Sequence, residues 1–204
     1  MQNKSHWYDG KFYDKLIAPN QDRLFNKILE MIEPGSSALD IGCGTGRLCF
    51  KLSDRIKNVV GIDLSKSNIN LANKLLLKKN MSNVSFVHGD AQTLNLSVHG
   101  KFDYVIFTYV IHEMSESERI NALKSAIKFG NHLIIGDYIY PHPNSFWGYL
   151  NVVVEYLAGK EHYNNFKDYI DRKGLPGLMN RVGMKITDEI KNEPATSHLI
   201  RVSY

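Results

Sequence analysis

The chain has 204 residues, 43% of them hydrophobic, and its 25 basic and 21 acidic side chains leave a formal net charge of +4. That is enough for one packed domain of roughly 200 residues. The charges are spread without a dense Lys/Arg block, which argues against a nucleic-acid partner, and no run approaches the roughly 20 apolar residues of a membrane span or forms a signal peptide. Cys43 and Cys49 are too few and too badly placed for a disulfide framework or a zinc site, so these features point to a soluble protein of a reducing, cytoplasmic compartment with no metal site.

In chain order, the amino-terminal "HWYDGKFYDKLIAPN" is short and aromatic, and His6, Trp7, Tyr8, Phe12 and Tyr13 are candidates for a flap. From Asp22 to Ile32, Leu24, Phe25, Ile28, Leu29 and Ile32 recur at helical spacing until Pro34-Gly35 stops them. A strand-like run, "SALDI", then enters the glycine turn. Beyond it, the β-rich runs "NVVGID", "NVSFVHGD", "FDYVIFTYV" and "HLIIGDYIY" alternate with helical patterns. Ser65 marks one helix start, and Ser115 with Glu118 has capping-box spacing before another. This alternation predicts a parallel sheet with helices on both faces.

After Pro141 the pattern changes to aromatic-rich helices, broken near Gly159 and at "GLPG". They read as an inserted cap whose aromatics, among them Tyr138, Tyr140, Phe146, Trp147, Tyr149, Tyr156, Tyr163, Phe166 and Tyr169, are numerous enough to line an apolar pocket. "MKITDEI" and "SHLIRVSY" close the chain as an antiparallel hairpin. The expected organisation is a single domain over 1–204: flap and helix (1–35), ligand-binding core (36–140), helical cap (141–183) and hairpin (184–204).

The turn itself reads G-x-G-x-G through Gly42, Gly44 and Gly46, with Asp40 two residues ahead of the first glycine. The longer G-x-G-x-x-G spacing aims a helix N-terminus at a pyrophosphate. An acid ahead of the shorter turn repels phosphate and suits a cationic ligand, an ammonium or a sulfonium. The pattern therefore favours S-adenosylmethionine over NAD.

"LDIGCGTG" resembles the first motif of the class I S-adenosylmethionine-dependent methyltransferases, and the order of later motifs agrees over about residues 36–140. The resemblance implies an α/β, Rossmann-like methyltransferase fold: a mostly parallel seven-stranded sheet with an antiparallel C-terminal hairpin strand, helices on both faces and a helical cap. It also implies S-adenosylmethionine as cofactor and S-adenosylhomocysteine as product. Asp40, Gly42, Gly44 and Gly46 then belong to the cofactor turn, and Asp63, 21 residues after Gly42, accepts from the ribose hydroxyls. By the same likeness Asp90 and Ala91 meet the adenine edge, while Ile62 and Leu64 flank its plane.

Methyl transfer from a sulfonium requires an aligned acceptor, with a base only where the nucleophile carries a proton. In an open α/β sheet that acceptor approaches the carboxyl ends of the strands, which makes "FTYVIHEM" the critical segment, with Tyr109 and His112 as catalytic candidates. The expected activity is methyl transfer to a small, partly apolar molecule by in-line displacement. Two rivals predict different surfaces: an RNA or protein methyltransferase calls for a continuous basic groove, and a non-catalytic binding module for ligand binding without turnover.

Overall fold

The computed structural model describes residues 18–93 and 100–204. Helix α1 (Ala18–Met31) reaches back beyond the apolar repeat, because the first turn of a helix tolerates Pro19, whose missing N–H is not needed there. Then follow β1 (Ser37–Ile41), α2 (Arg47–Leu52), β2 (Asn58–Asp63), α3 (Lys66–Lys79), β3 (Val84–His88), a 3-10 turn (Ala91–Thr93), β4 (Phe102–Thr108), α4 (Glu116–Ala126) and β5 (Gly130–Tyr138). Helices α5 (Phe146–Ala158), α6 (Lys160–Asp171) and α7 (Gly174–Val182) precede the hairpin β6 (Lys185–Lys191) and β7 (Ser197–Ser203).

The seven strands form one sheet in the order β3-β2-β1-β4-β5-β7-β6. The first five are parallel, and β7 runs antiparallel to β5 and to β6. This is the Rossmann-like methyltransferase sheet with its reversed C-terminal hairpin. All five residues of β1 are buried, as a central parallel strand requires. The period of two in β4 divides the core: Val105 and Phe107 pack with α4 and the inserted helices, while Tyr104 and Ile106 pack with α1, α2 and α3. On the exposed edge, β6 carries Lys185, Asp188, Glu189 and Lys191 and a register shift between Ile186 and Asp188, which blunt it against pairing.

The capping sites behave locally as their chemistry dictates. Ser65 Oγ accepts from the Asn68 N–H at 3.3 Å, and the Ser115 N–H donates to Glu118 Oε2 at 2.7 Å. The expected break falls at the leading edge of "GLPG": the reversal is at the left-handed Lys173 and Gly174 (φ 70° and 55°), and the rest of the motif is the first turn of α7, where Pro176 is tolerated.

The inserted helices are fastened by polar links. Arg119, fully buried on α4, donates from Nε to the Ile111 carbonyl (3.1 Å), from Nη1 to Asp168 Oδ2 (2.8 Å) and from Nη2 to the Asn165 carbonyl (2.6 Å). Tyr169 donates its hydroxyl to the Tyr138 carbonyl at 2.8 Å.

Candidate active site

β1 lies between β2 and β4, so the chain reverses its direction of travel across the sheet there, and a crevice opens at the carboxyl ends of these strands. The glycine turn forms its floor. Gly42 and Cys43 donate their N–H groups to the Ile62 carbonyl at 2.8 and 3.0 Å, tying the turn to the end of β2. Gly44, in the left-handed region at φ 54°, donates to Asp63 Oδ2 at 2.8 Å, and an added Cβ there would meet nothing within 4 Å. Gly46 has a different constraint: a Cβ would lie 2.3 Å from Phe86 Cζ, so its glycine serves packing behind the turn, and it is not part of the cavity wall.

The crevice is a cavity of about 680 Å³. Asp40, Gly42, Gly44, Asp63, Leu64, Asp90, Ala91 and Tyr109 all lie on its wall, joined by Gln21 and Phe25 from α1. Asp40 is completely buried; its Oδ2 accepts from the Cys49 thiol at 3.3 Å, and its Oδ1 has no hydrogen-bond partner among the described residues. Burial pushes this carboxyl up to about 7, the Cys49 thiol opposing and the neighbouring Asp63 adding to the rise. Arg47, at the first position of α2, reaches Asp22 through Nη2 at 2.9 Å, while its buried Nη1 has no partner among the described residues. Asp63 Oδ1 accepts from the Ser65 N–H at 2.8 Å and the Asn68 amide at 3.4 Å. Asp90 Oδ1 accepts from the Gln92 N–H at 2.8 Å, and His88 Nε2 meets the Leu64 carbonyl at 2.9 Å.

At the β4 end, Tyr109 adopts φ 52° and pairs its hydroxyl with Ser197 Oγ at 2.8 Å; burial pushes the phenol up to about 12. His112 is not on the cavity wall. Its Nδ1 lies 2.6 Å from Asp137 Oδ1 and its Nε2 3.4 Å from Glu155 Oε1, so carboxylates face both ring nitrogens. Burial lowers its affinity for a proton, but the charges of Asp137 and Glu155 outweigh this and hold the imidazole well above its usual value, as an imidazolium. Its neighbours Glu113 and Met114 line the cavity instead, together with His162 of α6.

Among the charged and imidazole side chains of the wall, sequence reasoning passed over Arg47 and His162 and read Glu113 as structural. Arg47 stands directly after the third glycine and Glu113 directly after His112, both visible as charged residues beside a motif. His162 has no local signal, because only the packing of α6 brings it to the cavity. The inserted aromatics do the opposite of what their number suggests. Phe146, Tyr149 and Tyr156 are 74%, 65% and 67% exposed, Phe166 and Tyr169 are in the core, and none of the five lines the cavity. The reason is that α5 packs inward through Gly148 and Glu155, which turns its aromatics outward. The proposed flap residues His6 to Tyr13 lie outside the described residues.

Comparison with known proteins agrees with this geometry. A family profile described as a methyltransferase domain matches residues 32–169. The chain belongs to the class I S-adenosylmethionine-dependent methyltransferase family. A probable S-adenosylmethionine-dependent methyltransferase, CRG1, of Saccharomyces cerevisiae is 26% identical over 181 residues, covering 88% of this chain and 61% of that protein. A demethylmenaquinone methyltransferase of Staphylococcus saprophyticus is 31% identical over 121 residues, covering 56% and 50%. The chain thus spans about half to three-fifths of the length of these curated relatives. Among solved structures, magnesium protoporphyrin IX methyltransferase of Synechocystis with bound S-adenosylhomocysteine superposes with a TM-score of 0.67 at 17% identity, covering 95% of this chain and 87% of that one.

For this methyltransferase-family chain, the cavity has the donor and acceptor set a cationic amino-acid ligand needs. The Asp40 Oδ1 suits an ammonium, Arg47 Nη1 suits a carboxylate, and Gly44 leaves open space above the turn. Among the described residues, no helix is long and apolar enough to cross a membrane, and no cluster of three His, Cys, Asp or Glu side chains is disposed to hold a metal ion.

Proposed function

We propose that the protein transfers a methyl group from S-adenosylmethionine to a small-molecule acceptor. The observation that carries this reading is a pair of buried polar atoms of cavity-wall residues that have no hydrogen-bond partner among the described residues, Asp40 Oδ1 and Arg47 Nη1, beside the open face of Gly44. The ammonium of an amino-acid group is the natural partner of the first, and its carboxylate of the second. When bound, S-adenosylmethionine supplies an electrophilic methyl on a sulfonium. Asp40 and Arg47 hold the amino-acid end, Gly42 and Gly44 let the backbone approach, and Asp63 receives the ribose hydroxyls. Ile62 and Leu64 flank the plane of the base, Asp90 accepts from its exocyclic amine, and the Ala91 N–H donates to a ring nitrogen. Gly46 supports the turn from behind, and Tyr109 forms a neutral wall.

His112 acts in this reading as a buried charged strut between β5 and α5, because neither ring nitrogen faces the cavity. The small-molecule assignment is supported by the wall itself. Among the described residues, the carboxylates of Asp63, Asp90 and Glu118 stand there against one guanidinium, that of Arg47, which repels a phosphate backbone. The cavity volume also lies within the roughly 300–1,000 Å³ of small-molecule sites. The two reduced, buried cysteines suit a cytoplasmic setting.

Calorimetry with S-adenosylmethionine, S-adenosylhomocysteine and NAD tests the cofactor: both adenosyl ligands bind and NAD does not, and the reverse result overturns the reading. For the acceptor, S-adenosylhomocysteine should accumulate with a low-molecular-mass metabolite extract. Accumulation only with total RNA or protein would overturn the small-molecule assignment.

A further inference from the structure

From the core of the sheet to the cavity, acids and imidazoles alternate in a row. Asp137 Oδ1 lies 2.6 Å from His112 Nδ1, and His112 Nε2 lies 3.4 Å from Glu155 Oε1. Glu155 Oε2 and Glu113 Oε1 are each 4.0 Å from His162 Nδ1. Asp137, Glu155 and His112 are buried, whereas the Glu113 side chain is one-third exposed (33%) and opens onto the cavity. Its backbone is held from both sides, with its N–H on the Val110 carbonyl (3.3 Å) and its carbonyl receiving the Asn165 amide (2.6 Å).

The other acids on the wall are committed elsewhere. Asp63 holds the Gly44 and Ser65 amides, Asp90 the Gln92 amide, and Glu118 the Ser115 amide and hydroxyl, while Asp40 is completely buried and taken up with the ligand's ammonium in the proposed reading.

Resting on the proposed methyl transfer, we infer that Glu113 is the group that takes the proton given up by the methyl acceptor. As the bond between the acceptor atom and the methyl carbon forms, the sulfur–methyl bond breaks and its electron pair stays on sulfur. The acceptor's proton passes to a Glu113 oxygen and leaves through the mouth of the cavity, so charge and atoms balance without a further reactant. The groups facing Glu113 are His112 on its own turn, Asp63 from β2, Glu118 from α4, Asp137 from β5, Glu155 from α5 and His162 from α6. Burial pushes its carboxyl up to about 8; His112 opposes the rise, and the charges of Glu155, Asp63 and Asp137 add to it. A bound sulfonium opposes that rise and brings the carboxyl down toward neutral pH, where its ionised form can take a proton.

The test needs no acceptor. S-adenosylmethionine and S-adenosylhomocysteine share the amino-acid end that Asp40 meets and differ by the charge on sulfur. A base serving the transfer sits within about 7 Å of that sulfur, since successive reacting atoms are about 3 Å apart. A unit charge at that range lowers a neighbouring carboxyl by about one pKa unit. Calorimetry of the full chain at pH 8, repeated in buffers of different ionisation enthalpy, should therefore find S-adenosylmethionine releasing about 0.4 proton more than S-adenosylhomocysteine. In Glu113→Gln, with both ligands still bound, that excess disappears. An excess that persists in Glu113→Gln, or none in the wild type with both ligands bound, overturns the assignment of Glu113. Failure of both ligands to bind the wild type overturns the cofactor reading beneath it.

Discussion

Asp63→Asn keeps the shape of the side chain and separates two functions that one carboxylate performs. Its Oδ2 accepts from Gly44 and its Oδ1 from Ser65, both at 2.8 Å, so the group holds the glycine turn before any ligand arrives. Whichever way the new amide is turned, its NH₂ faces one of those N–H groups. One charge-assisted bond is lost and the other falls to neutral strength, a cost of about 2–3 kcal/mol in the ligand-free protein. Loss of charge-assisted bonds to the ribose adds about 1–3 kcal/mol to binding alone, which is roughly a 5- to 150-fold weaker Kd. Urea unfolding without ligand reads the first number, and calorimetry with S-adenosylhomocysteine, below the unfolding range, reads the second. A folded variant whose Kd stays within about twofold of wild type would refute the ribose contact. A stability loss under about 0.5 kcal/mol would refute the claim that the carboxylate secures the turn.

The remaining expectations concern the same walls. Asp40 has its carboxyl raised to about 7, so ligand-free wild type loses stability as pH rises from the ordinary carboxylate range toward 7 and carries the penalty above it. Asp40→Asn should remove Asp40's share of that slope in thermal scans while the share of Glu113, raised to about 8, remains; it should gain up to about 4 kcal/mol at pH 9 and weaken S-adenosylmethionine binding, and unchanged affinity would remove Asp40 from the ammonium site. Gly46→Ala places a methyl 2.3 Å from Phe86 Cζ at φ 83° and should destabilise by about 2–4 kcal/mol, with partial rescue by Phe86→Leu. No rescue would show that the backbone angle alone is at fault. His112→Asn leaves Asp137 and Glu155 buried without their cation and should cost about 3–5 kcal/mol. Because the folded pKa of His112 is raised, its contribution is full below about pH 6.5 and is lost as pH climbs through the raised value, so the variant's deficit should shrink in alkaline unfolding curves; a constant deficit contradicts the charged strut.

What was legible in the sequence was what local chemistry decides. Alternating β-rich and helical runs, the caps at Ser65 and Ser115, and the acid-preceded glycine turn each carry their own signal within a few residues, and together they specify seven strands and the crevice where β1 meets β2 and β4. Position along a strand also told which residues reach the carboxyl ends, but not which way they turn there. Tyr109 and His112 are three residues apart on one turn, yet one lines the cavity and the other is drawn inward by Asp137, 25 residues later in the chain. The inserted helices were least legible for the same reason. Aromatic content alone does not say which face of α5 packs, and the choice is made by Glu155 reaching Tyr138, whose hydroxyl it receives at 2.8 Å.

Arg119 makes the sheet and the inserted helices a single cooperative unit. One buried guanidinium is shared by α4, by the turn that follows β4 and by α6, so opening any one of the three strands a charge and at least one carbonyl away from water. Partial opening of α6 therefore carries nearly the free energy of wider unfolding, and slow amide exchange should extend from β4 into Asn165 and Asp168 without a step between them. The acid at residue 113, whose carbonyl Asn165 grips, inherits that rigidity although it sits on a turn at the mouth of a cavity.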